Sequence, residues 1–261
     1  MSDTTAGSAP TIDELFAILL ARDFRHGDQT IMVGANMPMA RAAAVLASMT
    51  SHPDARVFLG QGIQALGDAQ SPPAVHPFLF DPRTLAAEAL MIQGRVFDDM
   101  SRPDVFFVGG LQVDRRGNLN LFGIPDGDGG WKMRGPGSIA LATMSTHCAG
   151  YYIVMPRHDP RTFVDRVALI SALGDLTERA RLGFPGGGPR LVLSPLGVFD
   201  FDFDGEMQVR SIHAGVTPAQ LREATGFDLN VPDDVAVTEP PTDEELALLR
   251  ERVDVAGTLR R

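Results

Sequence analysis

Residues 105–120 read Val105-Phe106-Phe107-Val108-Gly109-Gly110-Leu111-Gln112-Val113-Asp114-Arg115-Arg116-Gly117-Asn118-Leu119-Asn120. The first four residues are apolar without a break and are stopped by two glycines. A run of β-branched and aromatic residues bounded by glycine predicts a buried strand, of the kind found in parallel sheets. Its glycine end has two readings. Ligands of open α/β sheets sit outside the carboxyl ends of such strands, and glycines there admit close approach and offer N–H donors. Alternatively the strand simply ends, and Asp114 to Asn118 form a hairpin turn, since Arg-Gly-Asn is good turn chemistry. Pattern alone leans to the turn.

The stretch before it supports an α/β protein. Residues 1–10 are small and polar and predict a disordered tail. Thr11 with Glu14 forms a capping-box pattern ahead of Ile12, Leu15, Phe16, Leu19 and Leu20 at helical spacing, with a helix end expected near Arg25-His26-Gly27. Asp28 to Val33 predicts a strand, Gly34 to Pro38 a loop, Met39 to Met49 an alanine-rich helix, and Val57-Phe58-Leu59 a second strand running into Gly60-Gln61-Gly62. Strand, glycine loop, helix and strand in that order are the βαβ signature of a parallel, right-handed sheet. Gln64 to Pro77 reads as loop, and Arg83 to Gln93 as a helix closed by Gly94.

Beyond Asn120 the expectations continue. Phe122 to Pro136, with five glycines and the only tryptophan, Trp131, beside Lys132 and Arg134, reads as a long loop. Ser138 is placed as the cap of a helix within 139–146. Tyr151 to Met155, Phe163 to Val167, Leu191 to Leu193 and Leu196 to Phe201 read as extended, and Met207 to Ile212 alternates like an edge strand. Thr217-Pro218-x-Gln220 and Thr242-x-x-Glu245 open two late helices, the second, over 243–253, charged enough to lie on the surface. No repeat or long linker divides the chain, so residues 11–261 are expected to form a single domain.

Composition excludes several function classes. The formal net charge of −10 argues against a nucleic-acid binder, although a phosphorylated small ligand held by a few arginines stays open. One cysteine, Cys148, excludes an intramolecular disulfide and a multi-cysteine metal site. The six histidines have no zinc-like spacing. No apolar stretch approaches the length of a membrane span, and the N-terminal residues lack the basic and apolar regions of a signal peptide, so a cytoplasmic protein is expected. Neither G-x-S-x-G, a P-loop nor a dinucleotide fingerprint occurs. Asp114, ahead of Arg-Arg-Gly-Asn, reads as a turn residue before it reads as an acid or base. Glu88, in mid-helix, reads as a solvated residue. Glycine loops without a phosphate fingerprint favour an acyl or thioester site, where backbone N–H pairs hold an oxyanion.

The segment Gly109-Gly110-Leu111-Gln112-Val113-Asp114-Arg115-x-Gly117-Asn118-Leu119-Asn120 resembles the GGxQVDRxGNLN segment of the β subunits of glutaconate-type, family I CoA-transferases. Gly27-Asp28, Gly34-x-x-Met37-Pro38, Leu196 to Phe201, Ser211-Ile212-His213-x-Gly215-Val216-Thr217 and Thr225-Gly226-Phe227 resemble the same family in the same order, over nearly the whole chain. The resemblance implies an open, mostly parallel sheet flanked by helices, the CoA-transferase (NagB/RpiA-like) fold. It also implies a homologous α subunit, in a heterodimer or heterotetramer, with the active site shared between the two. It implies no permanently bound cofactor, and coenzyme A as part of an acyl-CoA substrate.

In the transferases the β subunit supplies a nucleophilic glutamate after the second strand, which attacks the thioester. The matching position here is Gly60, and a shift of one residue offers only Gln61. The β subunits of a related two-subunit hydrolase of bacterial steroid catabolism also lack this glutamate, which its α subunit provides. The C-terminal segment resembles those subunits, whereas the GQG loop and residues 122–136 resemble them less. The expectation is hydrolytic C–C ring opening of an acyl-CoA, with no nucleophile on this chain. CoA transfer, using Glu88 or a partner carboxylate, and a non-catalytic structural subunit are the alternatives. Gly60, Gln61, Gly62, Gly109, Gly110 and Gln112 are placed as the wall of the substrate site, Gln61 and Gln112 as polar contacts. Arg115 or Arg116 is placed as an ion-pair donor to CoA phosphate or to the partner. No metal is expected.

Overall fold

A computed structural model describes residues 8–34, 37–59, 62–65 and 103–261, with 58–59 and 62–65 described by backbone alone. The expected helix at 83–93, with Glu88, and residues Gly60 and Gln61 lie outside the described residues. The chain is a mixed α/β protein with a large, mostly parallel sheet flanked by helices. It clusters into two compact units, Met1–Phe107 with Glu239–Arg261, and Val108–Thr238.

In the first unit, α1 (Ile12–Asp23) carries the expected capping box, Thr11 Oγ1 accepting from Glu14 N at 3.2 Å and Glu14 Oε2 accepting from Thr11 N at 3.0 Å. The helix stops at Asp23, ahead of the expected end, because Phe24 is extended and Asp28 Oδ2 accepts from Arg25 N at 2.8 Å. Strand β1 (Thr30–Val33) leads to α2 (Pro38–Met49), whose residues Ala40 to Ser48 are all buried. A helix buried on every side belongs inside a fold, and its small alanines let neighbours approach, although it also buries Arg41 and Ser48. Strand β2 (Arg56–Leu59) runs parallel to β1, from Thr30↔Arg56 to Val33↔Leu59, as a βαβ unit requires. The first residues of the next strand but one, Val105 and Phe106, pair in parallel with Ile31 and Met32.

Residues 62–65 correct the reading. They form β3 (Gly62–Ala65), antiparallel to β2 with Leu59↔Gly62. Gly62 therefore begins a strand, and Gln64 is not in a loop. Near the C-terminus, α6 (Asp243–Leu248) has its Thr242/Glu245 capping box and passes into a π-helical turn, Leu249–Val253. Only its first turns match the expected surface helix. Leu249, Arg250 and Val253 are buried, and Arg250 donates to both carboxylate oxygens of the fully buried Glu14 at 2.8 and 2.9 Å.

The predicted buried strand is β4 (Val105–Gly109), and its chain passes at Phe107–Val108 from one unit to the other. In the second unit its end is followed by a hairpin of β5 (Gln112–Asp114) and β6 (Leu119–Asn120), so the turn reading was right. Residues 122–136 are a hairpin as well, not a loop: β7 (Gly123–Pro125) pairs with β8 (Trp131–Arg134). Helix α3 (Leu141–His147) starts one residue after Ala140, which has φ 60° and makes no side-chain cap. The expected Ser138 cap is therefore absent.

Strand β9 (Gly150–Val154) is fully buried. A short β10 (Phe163–Val164) adds to β5 in parallel. Helix α4 (Leu176–Arg181), capped by Asp175, was not anticipated. Strand β11 (Pro189–Ser194) runs parallel to β9, then β12 (Gly197–Phe201) and β13 (Met207–Ile212) follow antiparallel, β13 at the edge as its alternation predicted. Helix α5 (Pro218–Ala224) has the Thr217/Gln220 capping box. The core of this unit is Tyr151, Tyr152, Ile153, Phe163, Leu193 and Phe199, all essentially inaccessible.

Candidate functional site

The motif around Asp114 is held by its own side chains. Asp114 Oδ1 accepts from Arg116 N and Asn118 N, each at 3.0 Å, and Oδ2 accepts from Asn118 Nδ2 at 3.1 Å and Val167 N at 3.4 Å. Burial pushes the Asp114 carboxyl above the ordinary carboxylate value, outweighing these hydrogen bonds. Gly117 sits at φ 72°, the left-handed conformation that favours glycine. Asn118 Oδ1 accepts from Gly174 N at 2.9 Å and Asp175 N at 3.2 Å. Asp114 is thus a turn and anchoring residue, as its sequence context indicated.

Gln112 is buried and fully engaged. Its Oε1 accepts from Asn120 Nδ2 at 3.0 Å and Ala168 N at 3.1 Å, and its Nε2 donates to Arg161 O at 3.4 Å. Gly110 lies where a Cβ would stand 2.4 Å from Leu119 Cδ1, so only glycine fits without displacing the buried leucine. Arg115 and Arg116 turn away together: Arg115 reaches Glu206 at 2.8 Å and Asp165 at 3.4 Å, and Arg116 reaches Glu206 at 2.8 Å. The bond to Glu206 raises the Arg115 pKa. Within this chain both arginines serve as internal ion-pair partners.

Beside this hairpin the second unit holds a cavity of about 690 Å³, within the usual range for a ligand site. Gly110, Leu111 and Gln112, just past the end of β4, form one wall. Ile124 of β7 with Lys132 and Met133 of β8 form another. Pro156 and Arg157, just past β9, and Asp159, Arg161 and Thr162, just before β10, complete it. The cavity therefore lies at the carboxyl ends of β4 and β9, where α/β sheets bind ligands.

The structure brings Gly110 and Gln112 to this cavity. Gly109 ends β4 beside Val154 O, and Arg115 is elsewhere. Gly62 begins β3 in the other unit. Asp159, Arg161, Arg157 and Met133 were not singled out from the sequence. The alternation Trp131-Lys132-Met133-Arg134 after Gly129-Gly130 is a hairpin signal that would have placed two of the cavity residues on a strand.

Among the described residues Asp159 is the only carboxylate lining the cavity, and it is occupied. Its Oδ1 accepts from Arg161 N at 2.8 Å and Thr162 N at 3.2 Å, and its Oδ2 from Arg161 Nη2 at 3.3 Å. Burial pushes its pKa up, but the bonds from Arg161 and Thr162 outweigh that and hold the carboxylate below its ordinary value. Among the described residues no three His, Cys, Asp or Glu side chains converge as a metal site. Cys148 is buried and its thiol is pushed up to about 12, which leaves it unreactive at neutral pH. His158 stacks on Phe163 at 3.6 Å and bonds Ser194 Oγ at 2.7 Å and Thr225 Oγ1 at 3.1 Å.

No family model matches the chain. Over 252 residues, however, it is 32% identical to the B subunit of 3-oxoadipate CoA-transferase from Pseudomonas knackmussii, covering 93% of each chain. The chain belongs to the CoA-transferase B-subunit family. This CoA-transferase-family subunit is also 33% identical to the IpdB subunit of the cholesterol ring-cleaving hydrolase of Mycobacterium bovis, over 92% of its own length and 94% of that chain. Its fold matches the crystal structure of glutaconate coenzyme A-transferase from Acidaminococcus fermentans with a TM-score of 0.82 at 24% identity, over 99% of each chain. It matches IpdAB of Rhodococcus jostii RHA1 with a TM-score of 0.79 at 28% identity, over 97% and 98%. The family likeness read from residues 109–120 is therefore correct, and no helix among the described residues is long and apolar enough to cross a membrane.

Proposed function

We propose that this subunit is the β chain of a heteromeric, cytoplasmic enzyme that opens a ring of an acyl-CoA by hydrolytic C–C cleavage, in the manner of steroid catabolism. A homologous α subunit supplies the catalytic glutamate. The observation that carries this reading is that, among the described residues, the cavity offers no available carboxylate. Asp159 is held by three hydrogen bonds, and the position matched to the transferase glutamate is Gly60. Coenzyme A enters as part of the substrate and no resident cofactor takes part.

The chemistry then divides between the chains. A partner carboxylate draws a proton from water, and the oxygen attacks the ring ketone. The ring C–C bond breaks, its electron pair passes to the carbon beside the thioester, and that carbon takes up a proton. This chain supplies a wall whose Gln112 is locked by three hydrogen bonds and whose glycine at 110 lets a substrate approach the backbone. To test this, the chain is co-expressed with its partner and given a cyclic-ketone acyl-CoA with and without an acceptor carboxylate. Ring opening without acceptor is expected, and strict dependence on the acceptor sinks the hydrolase reading.

The 32% identity to a CoA-transferase B subunit favours a second reading, CoA exchange between carboxylic acids, with the carboxylate from Glu88 or the partner. It requires a glutamyl thioester, which borohydride or hydroxylamine trapping and mass spectrometry would locate. If replacing Gln61, Gly62 and Gln112 leaves turnover intact, the chain is instead a non-catalytic structural subunit.

A further inference from the structure

Lys132 is the only lysine among the 23 Lys and Arg residues, and it lines the cavity. Arg157 lines it as well. The other arginines of the second unit that bear ion pairs are spent on them: Arg115 and Arg116 on Glu206, Arg181 on Glu178, Arg222 on Asp233. Arg161 shares its charge with Asp159. Lys132 and Arg157 have no carboxylate partner among the described residues. The Arg161–Asp159 pair cancels in formal charge, so these two leave the cavity with two uncompensated positive charges. This occurs in a chain of net charge −10.

The remaining lining is largely apolar, through Leu111, Ile124, Met133 and Pro156. A neutral ligand would leave both cations without a counter-charge. An inorganic anion would leave the apolar walls empty. The two features together fit one chemistry, an anion joined to an apolar body.

We infer that this cavity selects an organic anion, and that Lys132 and Arg157 are the specificity-determining residues that read its charge. The choice of ligand rests on the acyl-CoA reading. The anionic group has two sources there, the phosphates of coenzyme A or a free carboxylate at the far end of the acyl chain.

The test uses the complex of this chain with its partner and calorimetric titration with coenzyme A, butyryl-CoA and glutaryl-CoA. Both residues are exposed, so Lys132→Met with Arg157→Gln should leave the fold intact, which circular dichroism checks. Lys132→Arg with Arg157→Lys keeps the charge and should retain binding. At least tenfold weaker binding of all three ligands in the neutral double variant, with a flatter salt dependence, assigns the charge to the phosphates. A loss confined to glutaryl-CoA assigns it to an acyl carboxylate. Affinities within twofold of the parent for every ligand overturn the inference. Amine acetylation gives an independent measure, because Lys132 is the sole lysine: ligand should protect that one site at least fivefold, and unaltered labelling counts against it. Should no CoA ligand bind the parent complex, the acyl-CoA reading fails. The cavity is then judged with 8-anilinonaphthalene-1-sulfonate against neutral N-phenyl-1-naphthylamine. Selective loss of the sulfonate in the neutral variant upholds the inference, and equal binding by parent and variant overturns it.

Discussion

Asp114 and Asn118 can be exchanged for each other as a test of the hydrogen-bond network that shapes the cavity wall. Asp114→Ala removes the acceptor for four donors, of which Asn118 N, Asn118 Nδ2 and Val167 N are buried, the last through a long 3.4 Å bond. A buried donor left without a partner costs about 1–3 kcal/mol. Three such donors, one of them only weakly bonded, less the cost of burying a carboxylate that the substitution relieves, give a net loss of about 3 kcal/mol. Asp114→Asn is milder. Its oxygen still serves Arg116 N and Asn118 N, but its amide now faces the Asn118 amide, donor against donor, at a cost of about 1–2 kcal/mol. The swap of Asp114→Asn with Asn118→Asp repairs this. The carboxylate introduced at position 118 accepts from Gly174 N and Asp175 N with one oxygen, as the Asn118 amide oxygen does at 2.9 and 3.2 Å. Its other oxygen takes the amide introduced at position 114. Only the long 3.4 Å bond from Val167 N is lost.

The readout is the sole tryptophan, Trp131, which belongs to the same unit. Urea titration followed by its fluorescence reports unfolding of that unit. With a slope of about 2 kcal/mol/M, Asp114→Ala should lower the midpoint by about 1.5 M and Asp114→Asn by about half of that. The double swap should recover most of the loss, a coupling of about 1 kcal/mol between residues in contact. A swap no more stable than Asp114→Asn alone, or an Asp114→Ala shift below about 0.3 M, refutes the account of these bonds as the anchor of the hairpin.

Three further outcomes follow. His158 is pushed down to about 3 by burial, and burial lowers His213 too, so both are held neutral in the fold. Each therefore contributes stability that is whole above the unfolded value near 6.5 and is lost as pH falls through the window between that value and the folded one, by up to about 1.4 kcal/mol per pH unit per histidine. The Trp131 urea midpoint should drop from pH 7.5 to pH 5, and less steeply in His158→Gln; equal slopes would contradict the assignment. Gly110→Ala places a methyl 2.4 Å from buried Leu119 Cδ1 and should cost about 1–3 kcal/mol and lower turnover; the midpoint and the acyl-CoA assay check it. Glu14→Gln removes the charge from the buried pair with Arg250 and should cost about 3–5 kcal/mol in the first unit, visible as faster amide exchange in α1.

Features carried by neighbouring residues were legible in the sequence. Thr11/Glu14, Thr217/Gln220 and Thr242/Glu245 each formed the capping box that their spacing announced, because a cap needs only residues three apart. Val105 to Val108 was legible because a strand buried on both faces is continuously apolar. The β7–β8 hairpin was missed, because its five glycines read as loop and the alternation Trp131-Lys132-Met133-Arg134 runs for only four residues on an exposed strand. Ser138 failed as a cap since the chain enters α3 through a left-handed Ala140. Asp175 does cap α4, but that helix has six residues, too few to display a period. The cavity itself depends on β8 meeting the segments that follow β9 and precede β10, a non-local meeting that no spacing along the chain encodes.

The segment that carries the family likeness therefore has a different task from the residues that read the ligand. Asp114, Asn118, Asn120 and Gln112 are buried polar side chains, and each is bonded to backbone groups of other segments: Val167, Gly174, Gly123 and Ala168. Buried polar groups satisfied in this way fix one arrangement, since any slip leaves donors unpaired. Their effect is to hold Gly110, Leu111 and Gln112 as a rigid wall. None of the four presents a free acid, and both arginines of the segment are tied to Glu206. Charge selection falls instead to Lys132 and Arg157, on a hairpin and a connection that the segment does not contain. It follows that neutralising those two residues should weaken binding of the ligand's anionic group while Asp114 and its partners keep the wall in place. Altering the wall should weaken every ligand alike.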